Sequence, residues 1–347
     1  MQRYDCVVLY NTVDAREKDD CDERVYPSNI VRDEVPAIER SLVDGGFQPC
    51  VLPVANFSKD LVETLLDIAP KFVFNLCEAM NGSCELEMCV AGLLELMGIP
   101  YTGSPPLALG LALNKFHVKQ ILNSAGVPTP RGYVCRPGQT PAVPRSMRFP
   151  LIVKPEHEDA SLGINSNSVC RTIEEIERQI GYIHEAYRQD ALVEEYLDGR
   201  EFNVSVLGDR EPQVLAVQEI DFQGLPEGEP RIVSFRAKWD EGSLLFDSTV
   251  PVCPARLSKR LEQRIRDLAL RSHLAVGCRD YSRVDMRTDA RGSLYVLEVN
   301  PNPDISPDAG FARAACAAGY SYGEMIVRIS EAAMERSAGA AVPVRAR

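Results

Sequence analysis

The stretch YVLEVNPNP, residues 295–303, decides how this chain is read. Apolar residues run up to Val299, with an acid, Glu298, and an amide, Asn300, placed two residues apart. Successive side chains of a strand point to opposite faces, so alternation buries one face here and puts Glu298 and Asn300 together on the other. Pro301 and Pro303 then stop the strand, because proline has no N–H to give to a ladder. Upstream, YSRVDMR (281–287) reads as the partner strand across the turn DARG (289–292), giving a hairpin over 280–300. Arg283 and Asp285 share a face of that strand. Either plausible register therefore gathers Arg283, Asp285, Glu298 and Asn300. Two carboxylates and an amide oxygen form a hard-oxygen set suited to Mg²⁺, which takes few protein ligands. Arg283 keeps its charge in such a place and suits a phosphate or a developing oxyanion. A salt-bridged sheet face would have the same composition, and the hairpin alone does not separate the two readings.

Bulk properties set the frame around this hairpin. The chain has 347 residues. One core rarely grows past about 250–300 residues, so two or three domains are expected. The formal net charge is −12, which argues against non-specific binding to nucleic acid or to an anionic membrane. No apolar run approaches the roughly 18 residues of a membrane span. The start reads as a strand and a charged loop rather than a signal peptide, so the expected compartment is the cytoplasm. Eleven cysteines occur with no C-x-x-C pair. The spacing of Cys77, Cys84 and Cys89 fits no zinc pattern, and the cysteines read as reduced, mostly buried small residues.

Strands at 4–10, 47–54 and 71–76 alternate with helices at 31–45, 58–68 and 85–98. Ser58 is placed to cap the second helix, and glycines close the first and third. This β-α-β rhythm predicts a parallel sheet covered by helices over residues 1–112. Residues 113–205 read as a small α+β unit: a helix from Asn114 to Ala125, a strand at 149–154, a polar loop PEHEDASLGI, a helix at 172–187 and a strand at 191–197. Strands at 201–208 and 213–220, a helix at 258–276, the hairpin and a closing helix near 321–335 make a third region, 206–335. The last residues, 336–347, read as a flexible tail.

Outside the hairpin the residues are individually ambiguous. Lys115 and Lys238 each read as solvated surface lysines, whereas Lys154 ends an apolar strand. The loop DASLGI is able to wrap phosphates with backbone N–H groups. Walker A and G-x-G-x-x-G patterns are absent, so neither a P-loop nor a dinucleotide fold is supported. Glu194 and Glu201 flank a bend at Asp198-Gly199. Of the four histidines only His157 lies in a suspected loop; His117 and His273 fall in helices.

In order along the chain, NKFHVKQILNSAGVPTP, FPLIVKP with SLGI, LVEEYLDGREFNVSVLG, AKWD and SRVDM with YVLEVNPNP resemble the ATP-grasp ligases, and the D-alanine–D-alanine ligase branch in particular. ELMGIPYTGSPPLALGLALNK upstream is similar to that branch as well, and the likeness covers about residues 70–330. The resemblance implies an ATP-grasp fold: an N-terminal parallel α/β domain and two α+β lobes that clamp ATP. It implies ATP-dependent, ADP-forming amide synthesis from a small-molecule carboxylate and an amine through an acyl phosphate, with two Mg²⁺ (or Mn²⁺) ions, and a homodimer by analogy. In the matching positions Lys115 and Lys154 would hold ATP phosphates and Lys238 would reach the transferred γ-phosphate. Glu194 would meet the adenine edge beside the backbone at Leu197, and Glu201 the ribose. Asp285, Glu298 and Asn300 would hold the metals. Arg283, with backbone near Asp304, would stabilise the oxyanion, and the loop 156–163, including Ser161, would close over the nucleotide.

Departures from that branch concentrate on the substrates. YNTVDAREKDD replaces the family's Gly-Gly-x-Ser-x-Glu turn. Cys77-Glu78 stands where it has His-Gly, Ala160-Ser161 where it has paired serines, and Trp239 where a Tyr follows the γ-phosphate lysine. Asn300-Pro-Asn-Pro303-Asp304 replaces Asn-x-x-Pro-Gly, and Ala309 falls on a serine that grips the second substrate's carboxylate. The ATP and metal half is intact while both amino-acid pockets have changed. That pattern predicts a ligase for an amino acid or small metabolite other than D-alanine. D-Ala–D-Ala ligation itself and a catalytically inactive ATP-binding scaffold are the alternatives.

Overall fold

The computed structural model describes residues 4–12 and 30–339; the charged loop read after the first strand and the end of the tail, 340–347, lie outside the described residues. The strands β1 (Cys6–Asn11), β2 (Pro49–Val54) and β3 (Phe72–Leu76) form a parallel sheet in the order β2-β1-β3. Both faces are apolar because helices cover both. Cys6, Val8, Phe72 and Phe74 pack against Ile38 and Leu42 of the helix Ile30–Asp44, while Val7, Leu9 and Val73 pack against Leu61, Leu65 and Leu94 on the other side. The helix Lys59–Ile68 starts where expected, with the Ser58 hydroxyl accepting the Leu61 N–H at 3.1 Å.

A second, antiparallel sheet has the order β4-β7-β5-β6, from β4 (Gly132–Cys135), β5 (Leu151–Pro155), β6 (Val169–Cys170) and β7 (Ala191–Glu195). One face packs on the helix Ile173–Ala186 through Leu151, Val153, Val193, Ile176, Ile180 and Ile183. The third sheet, also antiparallel, runs β10-β9-β8-β11-β12, from β8 (Glu201–Leu207), β9 (Gln213–Asp221), β10 (Val250–Val252), β11 (Tyr281–Thr288) and β12 (Leu294–Asn300). Its apolar face meets the helix Lys259–Val276 at Ile265, Leu268 and Ala269.

Three readings are corrected here. The strand β8 runs across the 205/206 division, because Glu201–Leu207 pairs throughout with β11. The final helix continues to Gly339, and Arg336, placed in the tail from sequence, is anchored. Its guanidinium pairs with Asp280 and with Asp209 at 3.1 Å and donates to the Tyr101 carbonyl at 2.6 Å. That knot ties the last helix to the N-terminal sheet's edge and to the turn before β11. The cysteines are free thiols, but Cys84, Cys89 and Cys316 are exposed, so only about half of those described are core residues.

His273 is fully buried in the long helix, its Nδ1 2.8 Å from the Ser282 hydroxyl. Burial lowers its pKa to about 4, with Asp209 opposing weakly. The unfolded chain therefore takes up a proton that the folded chain refuses between about pH 6.5 and pH 4. Stability should fall across that window on acidification, by at most about 1.4 kcal/mol per pH unit from this group. Chemical denaturation of the wild type and His273→Gln at pH 7, 6 and 5 checks this: the variant should show the shallower loss.

Candidate active site

The hairpin read from sequence forms with Arg283 opposite Asn300 and Asp285 opposite Glu298. Its register shifts immediately beyond, where Met286 pairs with Val296, leaving Leu297 as the extra residue of a β-bulge. Strict alternation would have put Val296 on the same face as Glu298. The bulge resets the parity, so Val296 and Val299 both enter the core, opposite Met286 and Val284, while Glu298 and Asn300 still face the other way.

On the polar face Arg283 grips Asp285 with two hydrogen bonds of 2.8 Å each. The Asn203 amide of β8 donates to the same carboxylate at 2.8 Å. Burial and the facing Glu298 raise the pKa of Asp285 despite Arg283. For Glu298 burial acts upward too, but Lys115, Lys154 and Arg283 outweigh it and hold its carboxyl at about 2. Two close carboxylates, one of them firmly ionised, with the Asn300 amide beside them, fit a divalent cation that tolerates oxygen donors. Among the described residues no third His, Cys, Asp or Glu joins a metal-holding group, so the amide is the third protein donor on offer.

The lysines are not surface residues. Lys115 and Lys154 are 5% and 7% exposed. Lys154 lies 2.9 Å from one oxygen of Glu194, and Lys119, which the sequence reading passed over, lies 2.7 Å from the other. Glu194 is 1% exposed. Burial would raise its pKa, yet the two ammonium groups hold it below the ordinary carboxylate range. Lys115 donates to the Glu158 carbonyl and pairs with Asp159 at 3.0 Å. The signal for Lys119 was present: it follows Lys115 by four residues, so both project from one face of the helix Lys115–Ser124.

Of the remaining predicted residues, Glu201, Lys238 and Asp304 lie near enough to act on the charges of this centre, and no hydrogen bond or ion pair among the described residues ties Ser161 or Leu197 to it. Glu201 pairs with Arg287 at 3.2 Å, and burial, opposed by Arg287 and reinforced by Asp285 and Glu298, lifts its pKa to about 7. Lys238 sits on the short helix Phe235–Trp239, 4.8 Å above the Trp239 ring. Burial first, then Arg283, lowers its pKa, while Asp304, Asp285 and Glu298 oppose. The loop after β5 is held against that helix: the Trp239 indole donates to the Ala160 carbonyl at 3.0 Å, and the Phe235 N–H to the Ile164 carbonyl at 3.0 Å. Ala160 and Ser161 both have positive φ, 54° and 64°. Consecutive left-handed residues cost energy unless the fold over-determines them, and they cluster at ligand clamps. The Ser161 side chain makes no contact that assigns it a task. Leu197 is buried just past the end of β7, and its neighbourhood to Glu194 comes from chain connectivity alone. The Asp304 carboxylate accepts the Ser306 N–H at 2.8 Å and its hydroxyl at 2.6 Å, which turns the chain after the two prolines.

A parallel α/β sheet followed by two antiparallel sheets, with buried lysines and carboxylates gathered where those two sheets meet, is the architecture of an ATP-grasp ligase. Residues 130–331 match the family described as D-ala D-ala ligase C-terminus. The chain belongs to the D-alanine–D-alanine ligase family, whose members are ATP-dependent, ADP-forming ligases. It is 34% identical to the D-alanine–D-alanine ligase of Nitrosospira multiformis over 72% of this chain and 76% of that protein. It is 31% identical to that of Desulforudis audaxviator over 86% and 92%. An uncharacterized protein of Sinorhizobium fredii, y4sG, is 38% identical over 77% and 76%. The fold superposes on the D-alanine–D-alanine ligase of Bacillus anthracis complexed with ATP with a TM-score of 0.74, covering 97% and 99% of the two chains at 22% identity. No helix among the described residues is long and apolar enough to cross a membrane.

Removing the shared carboxylate should be costly. Glu194→Ala leaves two buried ammonium groups without their counter-ion, and breaking a buried pair costs about 3–5 kcal/mol. Denaturant melts at pH 7 should show that loss, and a change below about 1 kcal/mol would mean the lysines find other partners.

Proposed function

We propose that this protein is an ATP- and Mg²⁺-dependent carboxylate–amine ligase whose substrates differ from a D-alanine pair. The observation that carries the ligase half is the Asp285–Glu298 pair facing each other across β11 and β12, with Arg283 and Asn300 alongside. A divalent ion held by Asp285, Glu298 and Asn300 supplies charge neutralisation for the nucleotide's phosphates. Lys115 and Lys154 orient those phosphates, and Lys238 reaches the γ-phosphoryl group. Glu194 and Glu201 take the adenine and ribose. A substrate carboxylate oxygen attacks the γ-phosphorus, and the bond to the β-phosphate oxygen breaks to release ADP. The amine nitrogen then attacks the acyl carbon. Arg283 bears the developing oxyanion; inorganic phosphate leaves, and the nitrogen loses its proton. The loop held by Lys115 and Trp239 excludes water from the acyl phosphate.

Substrate-side residues support the departure from D-alanine. Cys77, where the family has a histidine, is a fully buried thiol whose pKa burial pushes far up, so it offers neither a charge nor a nucleophile. Ala309 precedes the helix Gly310–Ala317 without any side-chain cap, so no hydroxyl awaits a carboxylate there. Asn302, between the two prolines, donates its amide N–H to Glu87 at 2.9 Å and accepts from the Tyr281 hydroxyl at 2.9 Å. Burial and the neighbouring Glu78 lift Glu87 to about 8. A hydrogen-bonded polar cluster of this kind, just past Asn300, supports a ligand with hydrogen-bonding groups better than one that offers only the methyl group of alanine. The names of the relatives favour the second reading, D-Ala–D-Ala ligation.

Phosphate release with ATP, Mg²⁺ and pairs drawn from a carboxylate and amine library, read by mass spectrometry for the amide product, tests the proposal. Turnover should require both partners, and Glu298→Gln should lower it about 100-fold or more. Robust turnover with millimolar D-alanine alone would replace this reading with the second. Phosphate release that ignores the amine would overturn both.

A further inference from the structure

We infer that Lys119 is a positioning residue that couples nucleotide recognition on β7 to the cation-binding geometry of β12. The inference rests on the reading above of Glu194 as an adenine contact and Glu298 as a cation ligand. The Lys119 ammonium is 2% exposed and has two partners on different sheets. One is Glu194 on β7, at 2.7 Å. The other is the backbone carbonyl of Leu297 on β12, at 2.5 Å. Leu297 is the extra residue of the bulge, where the ladder to β11 is interrupted. An ammonium has three donors, and Lys119 spends one on the carbonyl at that interruption.

The position of this carbonyl matters because Glu298 is the next residue. The bulge is what allows Glu298 to face Asp285 while Val296 and Val299 stay in the core. A side-chain period of two means that losing the extra residue turns one side of the strand over. Lys119 therefore holds the peptide whose placement aims Glu298. The same nitrogen holds the carboxylate that Lys154 grips from its other side at 2.9 Å. A shift of Glu194 on meeting a ligand is passed to Leu297 through one atom, with no intervening side chain. Lys115, on the same helix face, fixes the loop residues Glu158 and Asp159. The helix Lys115–Ser124 thus pins three elements of the site with two residues, and Lys119 is the member that touches neither phosphate nor metal in the reading given above.

The test compares wild type, Lys119→Met, Lys119→Arg and Glu298→Gln. A non-hydrolysable ATP analogue is titrated by calorimetry with and without Mg²⁺, and the Mg²⁺ concentration for half-maximal turnover is measured in parallel. Lys119→Met should weaken metal-free binding of the analogue and also raise the Mg²⁺ requirement about tenfold, as loss of an outer partner of a metal ligand does. The KM values for the carboxylate and amine should stay put, and Lys119→Arg should recover part of both effects. If the Mg²⁺ requirement is unmoved while analogue binding weakens, Lys119 serves β7 alone and the coupling is wrong. If Glu298→Gln itself leaves the Mg²⁺ requirement unmoved, the assignment of β12 as the cation strand fails instead. Should the Met variant not fold, amide hydrogen exchange on the wild type decides: binding of the analogue without Mg²⁺ should slow exchange in residues 294–300, and unchanged exchange there overturns the inference.

Discussion

A single carboxylate, buried to 1% exposure between two ammonium groups at 2.7 and 2.9 Å, is the constraint around which the clamp is built. A glutamate this deep persists as an anion only because Lys119 and Lys154 repay its lost hydration. The trio carries one positive charge in excess. That surplus sits beside Glu298, whose ionised state it supports. Three elements distant in the chain, the helix Lys115–Ser124, β5 and β7, meet at this carboxylate. None of them could shift independently without stranding a charge in a place that water does not reach.

Much of this was legible, and the reasons are local. The N-terminal β-α-β rhythm, the Ser58 cap and the hairpin at 280–300 follow from hydrophobic period and turn chemistry, which are properties of short windows. Arg283, Asp285, Glu298 and Asn300 were found because strand alternation places them, and the observed register brings them together. The bulge at Leu297 was not legible. It depends on Val296 and Val299 both seeking the core, which a period of two forbids and only the third dimension reconciles. The burial of Lys115 was misread for a related reason, since a lysine at the start of a helix looks solvated until Asp159 and the Glu158 carbonyl arrive from a loop more than forty residues on. Lys119 had a helical spacing that marked it, but its two partners lie on strands of two different sheets. Long-range charge pairing of this kind leaves no pattern in a window.

The groups around Glu194 and those around Glu87 obey different rules. Around Glu194 the charges are paired within hydrogen-bonding reach, Lys119 and Lys154 on Glu194, with Arg283 on Asp285 and Arg287 on Glu201 nearby. On the side of Glu87, Asn302 and Tyr281 the groups are linked mostly by neutral hydrogen bonds, and the acids raise one another's pKa. A closed ionic network tolerates little change, because removing one member exposes the rest. A looser polar cluster accepts substitution more readily.

The strand that carries Glu298 and Asn300 is also the outermost strand of its sheet. Such a margin offers a row of free backbone groups on which another chain can template itself. Here the bulge interrupts that row, Val296 turns its N–H to the Pro128 carbonyl at 2.8 Å, and Pro301 and Pro303 deny any continuation. The distortion that aims an acid at its counterpart therefore also blunts an adhesive border, so a change at Leu297 would disturb the facing of two carboxylates and the closure of the sheet's margin together.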